Sequence, residues 1–483
     1  MSKSKTVQNE VQGTIALTKD IGQFVARASF ADLTPAALEP AKKAFMDCLG
    51  VAIAGSLEDV GKIIRDFVKE MGGNPVSTVI GGGFRTSPAL AALANGTMAH
   101  AMDYDDGGAS HIPIHPSVSI MPVALALGDG QRASGKDMLL AYILGVEIET
   151  KMAELIPMSH FTHGWHPTAT LGTLGATAAA AKLLKLNAPQ IEMALGIASS
   201  LAGGLRLNFG TMTKPLHAGN TAKNGIIAAT LAKKGFTAHP DVLETPVGFL
   251  EVFTDKVDLQ EGISLGKPFH IAKPGLGLKK YPSCRGTHQA ISALSEILKT
   301  RKIEPQEVEY VECTYFNTGD GDDHLSRPYA QTPEEGKFSI EHCLAVLLLD
   351  GEVGLRQFYP DRLIDPDVQQ MRLKMKLQPR KDLLPEKDRE SNLAAQVTVK
   401  LKSGESLSAF FCQGKAEMGI EWPWEDIIKK FSQCASVALP DKKVATLIGL
   451  VRNLEDVENA SQITDLILTT SPRKRLTKVS RGT

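Results

Sequence analysis

Between Ser87 and Lys234 the chain carries long runs in which apolar and small residues occupy every helical face, separated by short polar breaks. The runs are Ala89–Ala101, Ile120–Gly128, Lys136–Glu154, Thr168–Leu184, Pro189–Ala202 and His217–Lys234. A surface helix shows one apolar stripe, whereas a helix apolar all round is packed on every side, and Ala, Gly and Thr let neighbouring axes approach closely. The pattern predicts a helical core. Upstream, helical apolar spacing runs from Ile15 through Ala28, and again over Leu38–Ala54, where Ala44, Phe45, Cys48, Leu49 and Ala52 share a face and Gly55 closes the helix. Ser77–Ile80 followed by Gly81-Gly82-Gly83 reads as a short strand and turn, with no phosphate-binding glycine motif around it.

After Lys273-Pro274-Gly275 the period changes. Val308–Tyr315 alternates, Met371–Leu377 reads as a second strand, and Val397–Leu401 turns through Lys402–Glu405 into Leu407–Phe411 as a hairpin. Thr287–Lys299 and Ser339–Asp350 read as helices between them, and helices return at Trp424–Cys434 and Lys442–Asn453. The predicted fold is mainly α: a large helical domain built from both chain ends (12–273 and 415–470), a smaller α/β lid domain inserted at 274–414, and flexible tails at 1–11 and 471–483. No constant-period repeat is present.

Composition narrows the function classes. The 483 residues are 43% hydrophobic and 22% charged with a net charge of -1, so no basic excess points to nucleic acid. The apolar run Cys343–Leu349 is too short to span a bilayer, and the polar start Met1–Thr6 lacks the apolar core of a secretory signal, so a cytoplasmic protein without membrane partners is expected. The six cysteines are scattered without a C-x-x-C pair, which predicts neither a disulfide framework nor a zinc knuckle. Cys284, beside Lys279, Lys280 and Arg285, is the one placed where positive neighbours would favour a thiolate.

The segment His100–Ile120 departs from scaffold: it holds Asp103, Asp105, Asp106 and three histidines, and His115-Pro116 runs straight into an apolar helix. Proline suits the first position of a helix, whose free N–H groups favour an anion. His166-Pro167, Lys214-Pro215 and Tyr281-Pro282 repeat the device, so four such helix starts carrying His, Lys or Tyr predict a cavity for a molecule with several carboxylates or phosphates. His100, on a helix of small residues, reads as a core histidine, and Asp105 and Asp106 read as turn caps. The spacing His160-x-x-His163-x-x-His166 has no cysteine or carboxylate at ligand distance in sequence, so no metal is expected.

Together these segments resemble the MmgE/PrpD family. The resemblance rests on the acid-rich loop ending His115-Pro116-Ser117, on Trp165-His166-Pro167 leading to Gly172-Thr173-Leu174-Gly175, on Thr213-Lys214-Pro215-Leu216-His217-Ala218-Gly219-Asn220, on Lys279-Lys280-Tyr281-Pro282 and on Asn453-Leu454-Glu455-Asp456. It spans nearly the whole chain and implies a homodimer, with a site between helical domain and lid and acid and base groups on Asp103, His115, His166, Lys214 and Lys279. The family includes 2-methylcitrate dehydratases, cis-aconitate decarboxylases and an iminodisuccinate epimerase. Where the decarboxylases carry a catalytic histidine just after the lysine-aromatic-proline segment, this chain has Cys284, with His288 a helical turn further on. Their later tyrosine is unmatched too, and Asn317, His324 and Arg327 occupy that region.

These family reactions share a carbanion or enediolate beside a carboxylate, which needs a base and positive charge where negative charge develops. Expected roles follow: His166 as leading acid or base with His115 as its partner, Asp103 fixing an imidazole tautomer, Lys214 holding the carboxylate that becomes the enediolate, and Cys284 as a possible second-face acid. Lys279, His217, Lys280, His324 and Arg327 are expected to bind substrate. No cofactor is expected. A hydro-lyase resembling 2-methylcitrate dehydratase is favoured; an epimerase, a cis-aconitate decarboxylase and a non-catalytic carboxylate binder are the alternatives.

Overall fold

The computed structural model describes residues 16–108, 112–255, 257, 263–317, 323–386, 392–414 and 422–471. The expected flexible ends, and His111, lie outside these residues apart from Ser471. The protein is mainly α. In chain order the first helices are α1 (Leu17–Arg27), α2 (Pro35–Gly55), α3 (Asp59–Met71), α4 (Pro88–His100), α5 (Pro116–Gln131), α6 (Gly135–Leu155), the short α7 (Ser159–Thr162), α8 (Pro167–Leu183), α9 (Ala188–Leu201), α10 (Thr213–Lys233) and α11 (Phe249–Phe253). Next come α12 (His288–Thr300), α13 (Pro333–Gly336), α14 (Ile340–Asp350), α15 (Pro360–Leu363) and α16 (Pro366–Arg372), and after the last strand α17 (Trp424–Ala435), α18 (Asp441–Arg452) and α19 (Ser461–Ile467). No helix among the described residues is long and apolar enough to cross a membrane.

Small residues do in space what they promised in sequence. On α10, a Cβ built on Gly219 would lie 2.1 Å from the Leu93 carbonyl oxygen, and one on Gly96 of α4 would lie 2.8 Å from the Gly219 Cα. The two backbones touch, which no other residue type permits. Helix α10 also packs on α8, and α8 on α5 and α6. The crossing fixes the first turn of α10, with Lys214 and His217, beside the C-terminal end of α4, where Asp103 follows.

The buried apolar residues form two large clusters. One draws on residues from Leu17 to Leu276 and again from Ile427 to Ile467. The other draws on Tyr281 to Leu401 and lies around a four-stranded sheet in the order β6-β5-β7-β8. Its strands are β5 (Val308–Phe316), β6 (Met375–Arg380), β7 (Asn392–Leu401) and β8 (Ser406–Gly414). β6 runs parallel to β5, the other pairs are antiparallel, and α12 packs on β7 and β8. Two small ribbons complete the structure: β1 (Ser77–Thr78) with β2 (Arg85–Thr86), and β3 (Gly107–Gly108) with β4 (Leu276–Gly277). The second is the consequential one, because pairing Gly107 with Gly277 draws the loop behind Asp103 against the segment that leads to Lys279.

Three readings change. Tyr281-Pro282 opens no helix: α12 starts at His288 after a 3-10 turn over Arg285–Thr287. The strand expected from Met371 begins at Met375, because Pro366 opens a helix whose Val368 and Met371 are buried together. Helix α3, with Val60, Ile64 and Val68 buried along one face, was not anticipated.

Candidate active site

Three of the segments singled out above converge beyond the end of α4. Asp103 follows α4 in a left-handed backbone conformation, φ 49°, which a non-glycine residue adopts at a cost of roughly 1–3 kcal/mol. Its Oδ1 accepts from Lys214 Nζ on α10 and from Lys279 Nζ, both at 2.7 Å, and Lys279 also donates to the Asp103 carbonyl at 2.8 Å. All three side chains are buried. Burial by itself would raise the Asp103 carboxyl, but the ammoniums of Lys214 and Lys279 outweigh it and hold the group well below the usual carboxylate range. Burial lowers Lys279, against the pull of Asp103. Asp103 Oδ2 is buried with no hydrogen-bond partner among the described residues.

A second layer of imidazoles lies beside this ion cluster. Asp105, fully buried, accepts from His100 Nδ1 through Oδ1 at 2.8 Å, and its Oδ2 lies 2.9 Å from His115 Nδ1. That same His115 nitrogen lies 2.7 Å from the Asp106 carbonyl oxygen. A carbonyl only accepts, so His115 carries its proton on Nδ1 and keeps the Nε2 lone pair free. His166, the N-cap of α8, places Nδ1 3.0 Å from His217 Nδ1 on α10, and its Nε2, like that of His100, is buried with no hydrogen-bond partner among the described residues. The His100 and His166 rings stack 6.1 Å apart at 18°, and His115 lies 4.7 Å from His100. Burial pushes all four imidazoles down: His100 and His217 to about 4, His115 below its ordinary value, and His166 well below it, helped by His217 and Lys214. They are neutral at physiological pH. Phe209 and Phe338 wall the cluster, each ring about 5 Å from the Lys214 ammonium (5.3 and 5.1 Å), and Phe209 meets His166 edge-on at 4.9 Å.

Several expected roles move. Asp103 accepts from the two lysines at Oδ1 and from no imidazole among the described residues; Asp105 and the Asp106 carbonyl serve His115 instead, so Asp105, Asp106 and His100 belong to the cluster and are not merely turn caps and core. The anion expected at the start of α5 comes from the chain itself: Asp106 accepts from the Ser117 amide at 3.2 Å and from its hydroxyl. Burial raises the Asp106 carboxyl to about 7. Cys284 is no stabilised thiolate. Burial and then Asp103 push its thiol up, and these outweigh Lys214 and Lys279. Lys280 is exposed, with its ammonium over the Tyr281 ring at 5.4 Å, so it stands apart from the cluster.

His324 borders the site through its ring, 5.8 Å from Phe209 and 6.2 Å from Phe338. Arg327 spends Nη2 on the Phe209 carbonyl at 3.2 Å, so it tethers that wall. His288 turns Nε2 toward the Ser283 carbonyl at 3.3 Å. The histidine triplet does not form a metal site: His160 gives its nitrogens to the Phe253 carbonyl and Thr170 Oγ1, each at 2.8 Å. His100, Asp103, Asp105 and His115 do bring ligand atoms within 4.8 Å of one another. Two ammoniums already sit on Asp103, however, and a cation placed among these four residues would have to displace or repel them.

The chain matches the MmgE/PrpD N-terminal domain over residues 19–262 and the MmgE/PrpD C-terminal domain over residues 281–456. It is similar to the cis-aconitate decarboxylase of Homo sapiens (29% identity, covering 95% of each chain) and to that of Mus musculus (30%, covering 93% of this chain and 92% of the other). The cis-aconitate decarboxylase of Aspergillus terreus is 26% identical over 97% of this chain and 98% of its own length.

Proposed function

The chain belongs to the MmgE/PrpD family, and on that premise we propose that it is a lyase for a small di- or tricarboxylate, working through a carbanion beside a carboxylate. One observation carries this reading: two buried ammoniums share the Asp103 carboxylate next to imidazoles that are neutral and, in His115, locked in one tautomer. Incoming carboxylates take the remaining Lys214 and Lys279 N–H donors while Asp103 keeps the others, and the ammoniums then stabilise the enediolate. His115 Nε2 is the base. His166 is a neutral hydrogen-bond donor to the developing negative charge, because its Nδ1 can accept from His217 and leave the proton on Nε2.

Decarboxylation of an unsaturated tricarboxylate such as cis-aconitate is the leading reaction, supported by relatives similar over nearly the whole chain. The C–CO2 bond breaks and CO2 leaves, its electron pair moves through the adjoining double bond toward the lysine-held carboxylate, and the neutral Cys284 thiol gives a proton to carbon, the thiolate then regaining one from water. Dehydration of a 2-methylcitrate-like hydroxy acid is the second reading. His115 supports it: its Nε2 takes the carbon-bound proton and, as the imidazolium so formed, protonates the departing hydroxide, while the His166 Nε2–H holds that oxygen.

Proton NMR of the purified protein in deuterated buffer decides between them. Itaconate from cis-aconitate establishes the decarboxylase, an alkene from 2-methylcitrate the dehydratase, and deuterium entering an imino- or hydroxydicarboxylate without a new alkene an epimerase. No exchange or conversion in any of these, alongside tight tricarboxylate binding, overturns the lyase reading in favour of a binding protein.

A further inference from the structure

Lys430, on α17, lies far along the chain from the residues that form the candidate site, yet its ammonium reaches the rear of that site. It is buried, and it donates to the Tyr104 carbonyl at 2.8 Å, to the Lys279 carbonyl at 3.0 Å and to Asp47 of α2, whose two oxygens lie 2.8 and 3.1 Å away. It also stands 3.9 Å over the Tyr104 ring. Three donors meet three acceptors, so the geometry leaves this ammonium nothing to offer a substrate. Two of those acceptors are main-chain atoms of the segments that supply Asp103 and Lys279.

We infer that Lys430 is a positioning residue that holds the Asp103 loop and the Lys279 segment in register, so that both ammonium bonds to Asp103 form. The inference rests on the reading of this site as catalytic. The Asp103 backbone is strained, and its neighbours supply the restraint: Lys337 donates to the Ala101 carbonyl at 3.0 Å, Lys279 to that of Asp103 and Lys430 to that of Tyr104. The left-handed residue is thus bracketed by ammonium bonds. The support under Lys430 is rigid, because Phe431 packs onto Gly50 of α2, where a Cβ would fall 2.8 Å from its ring. Asp47 lies on the same helix. Through Lys430, the part of the chain that follows the sheet sets the geometry of a loop laid down before α5.

The test uses the full chain. Lys430→Met alone strands the Asp47 charge, so the informative protein is Lys430→Met combined with Asp47→Asn, compared with wild type by amide exchange, by citrate binding in calorimetry and by turnover. The expected result is a melting temperature within a few degrees of wild type, with exchange at 103–106 and 277–281 faster by about tenfold. Turnover, as kcat/KM, falls by about a hundredfold, the cost of misplacing a binding group by an ångström. In a Lys279→Ala background the same pair of changes lowers kcat/KM no further. Unchanged exchange in those two segments overturns the inference, as does the full kinetic cost persisting without Lys279. If wild type converts no substrate, the lyase reading has failed; exchange and citrate binding still decide whether Lys430 positions the two segments.

Discussion

His166 and His217 meet nitrogen to nitrogen, Nδ1 to Nδ1 at 3.0 Å, so a bond between them requires one ring to hold the shared proton and the other to accept it. The direction of that bond decides whether His166 Nε2 is a hydrogen-bond donor or a base. His166→Gln should therefore lower kcat by up to about a thousandfold with little change in KM, within the range for loss of one donor to a developing charge. His217→Gln keeps a donor and should cost roughly tenfold. A loss of equal size for both would show that the pair works as one unit.

His115 sets the acid side of the pH profile. Burial, followed by Lys279 and Lys214, lowers its pKa, while Asp105 raises it. The base must be neutral, so kcat/KM should stay flat from pH 8 down to about 6.5, the ordinary histidine value, and fall only below that. Asp105→Asn removes the raising influence. The acid limb should move to lower pH still, with plateau activity down by about tenfold because the base is weaker and less well held. A limb that moves upward would show that Asp105 acts on another group.

Asp103→Asn leaves Lys214 and Lys279 sharing a neutral partner in a buried site. Breaking such a cluster should cost about 3–5 kcal/mol of stability, read as a lower melting temperature. Citrate should raise the melting temperature of the variant by more than it raises that of wild type, since a bound carboxylate supplies the missing charge. Equal shifts would mean that substrate carboxylates do not bind at these lysines.

Gly219→Ala places a methyl group 2.1 Å from the Leu93 carbonyl oxygen and cannot be accommodated without parting α4 from α10. Overpacking of this kind typically costs about 1–3 kcal/mol. Activity should fall further than stability, measurable as reduced kcat/KM in protein that is still folded, because Lys214 lies on the first turns of α10. Gly449, whose Cβ would meet nothing within 4 Å, is the control.

Much of the scaffold was legible because hydrophobic period and small-residue content are local signals: the helices from Pro88 to Lys233 lie close to where the pattern put them. Of the lysines and histidines drawn from motifs, His115, His166, His217, Lys214 and Lys279 gather, whereas Lys280 does not. Hidden from sequence were relationships that only the fold creates. Asp105 and His100 matter because a carboxylate lies between two imidazoles, and nothing in their spacing says which imidazole each will face. Cys284 has cationic neighbours in sequence, yet its environment in space is dominated by burial and Asp103. Lys430 has no motif at all; only the return of the chain past Tyr104 and Lys279 gives it a role.

The glycine contact between α4 and α10 is main chain against main chain. Where backbones touch there is no intervening layer of side chains to relax, so the spacing of α4 and α10, and with it the reach from Lys214 to Asp103, is set by main-chain contact and not by the size of any side chain between them.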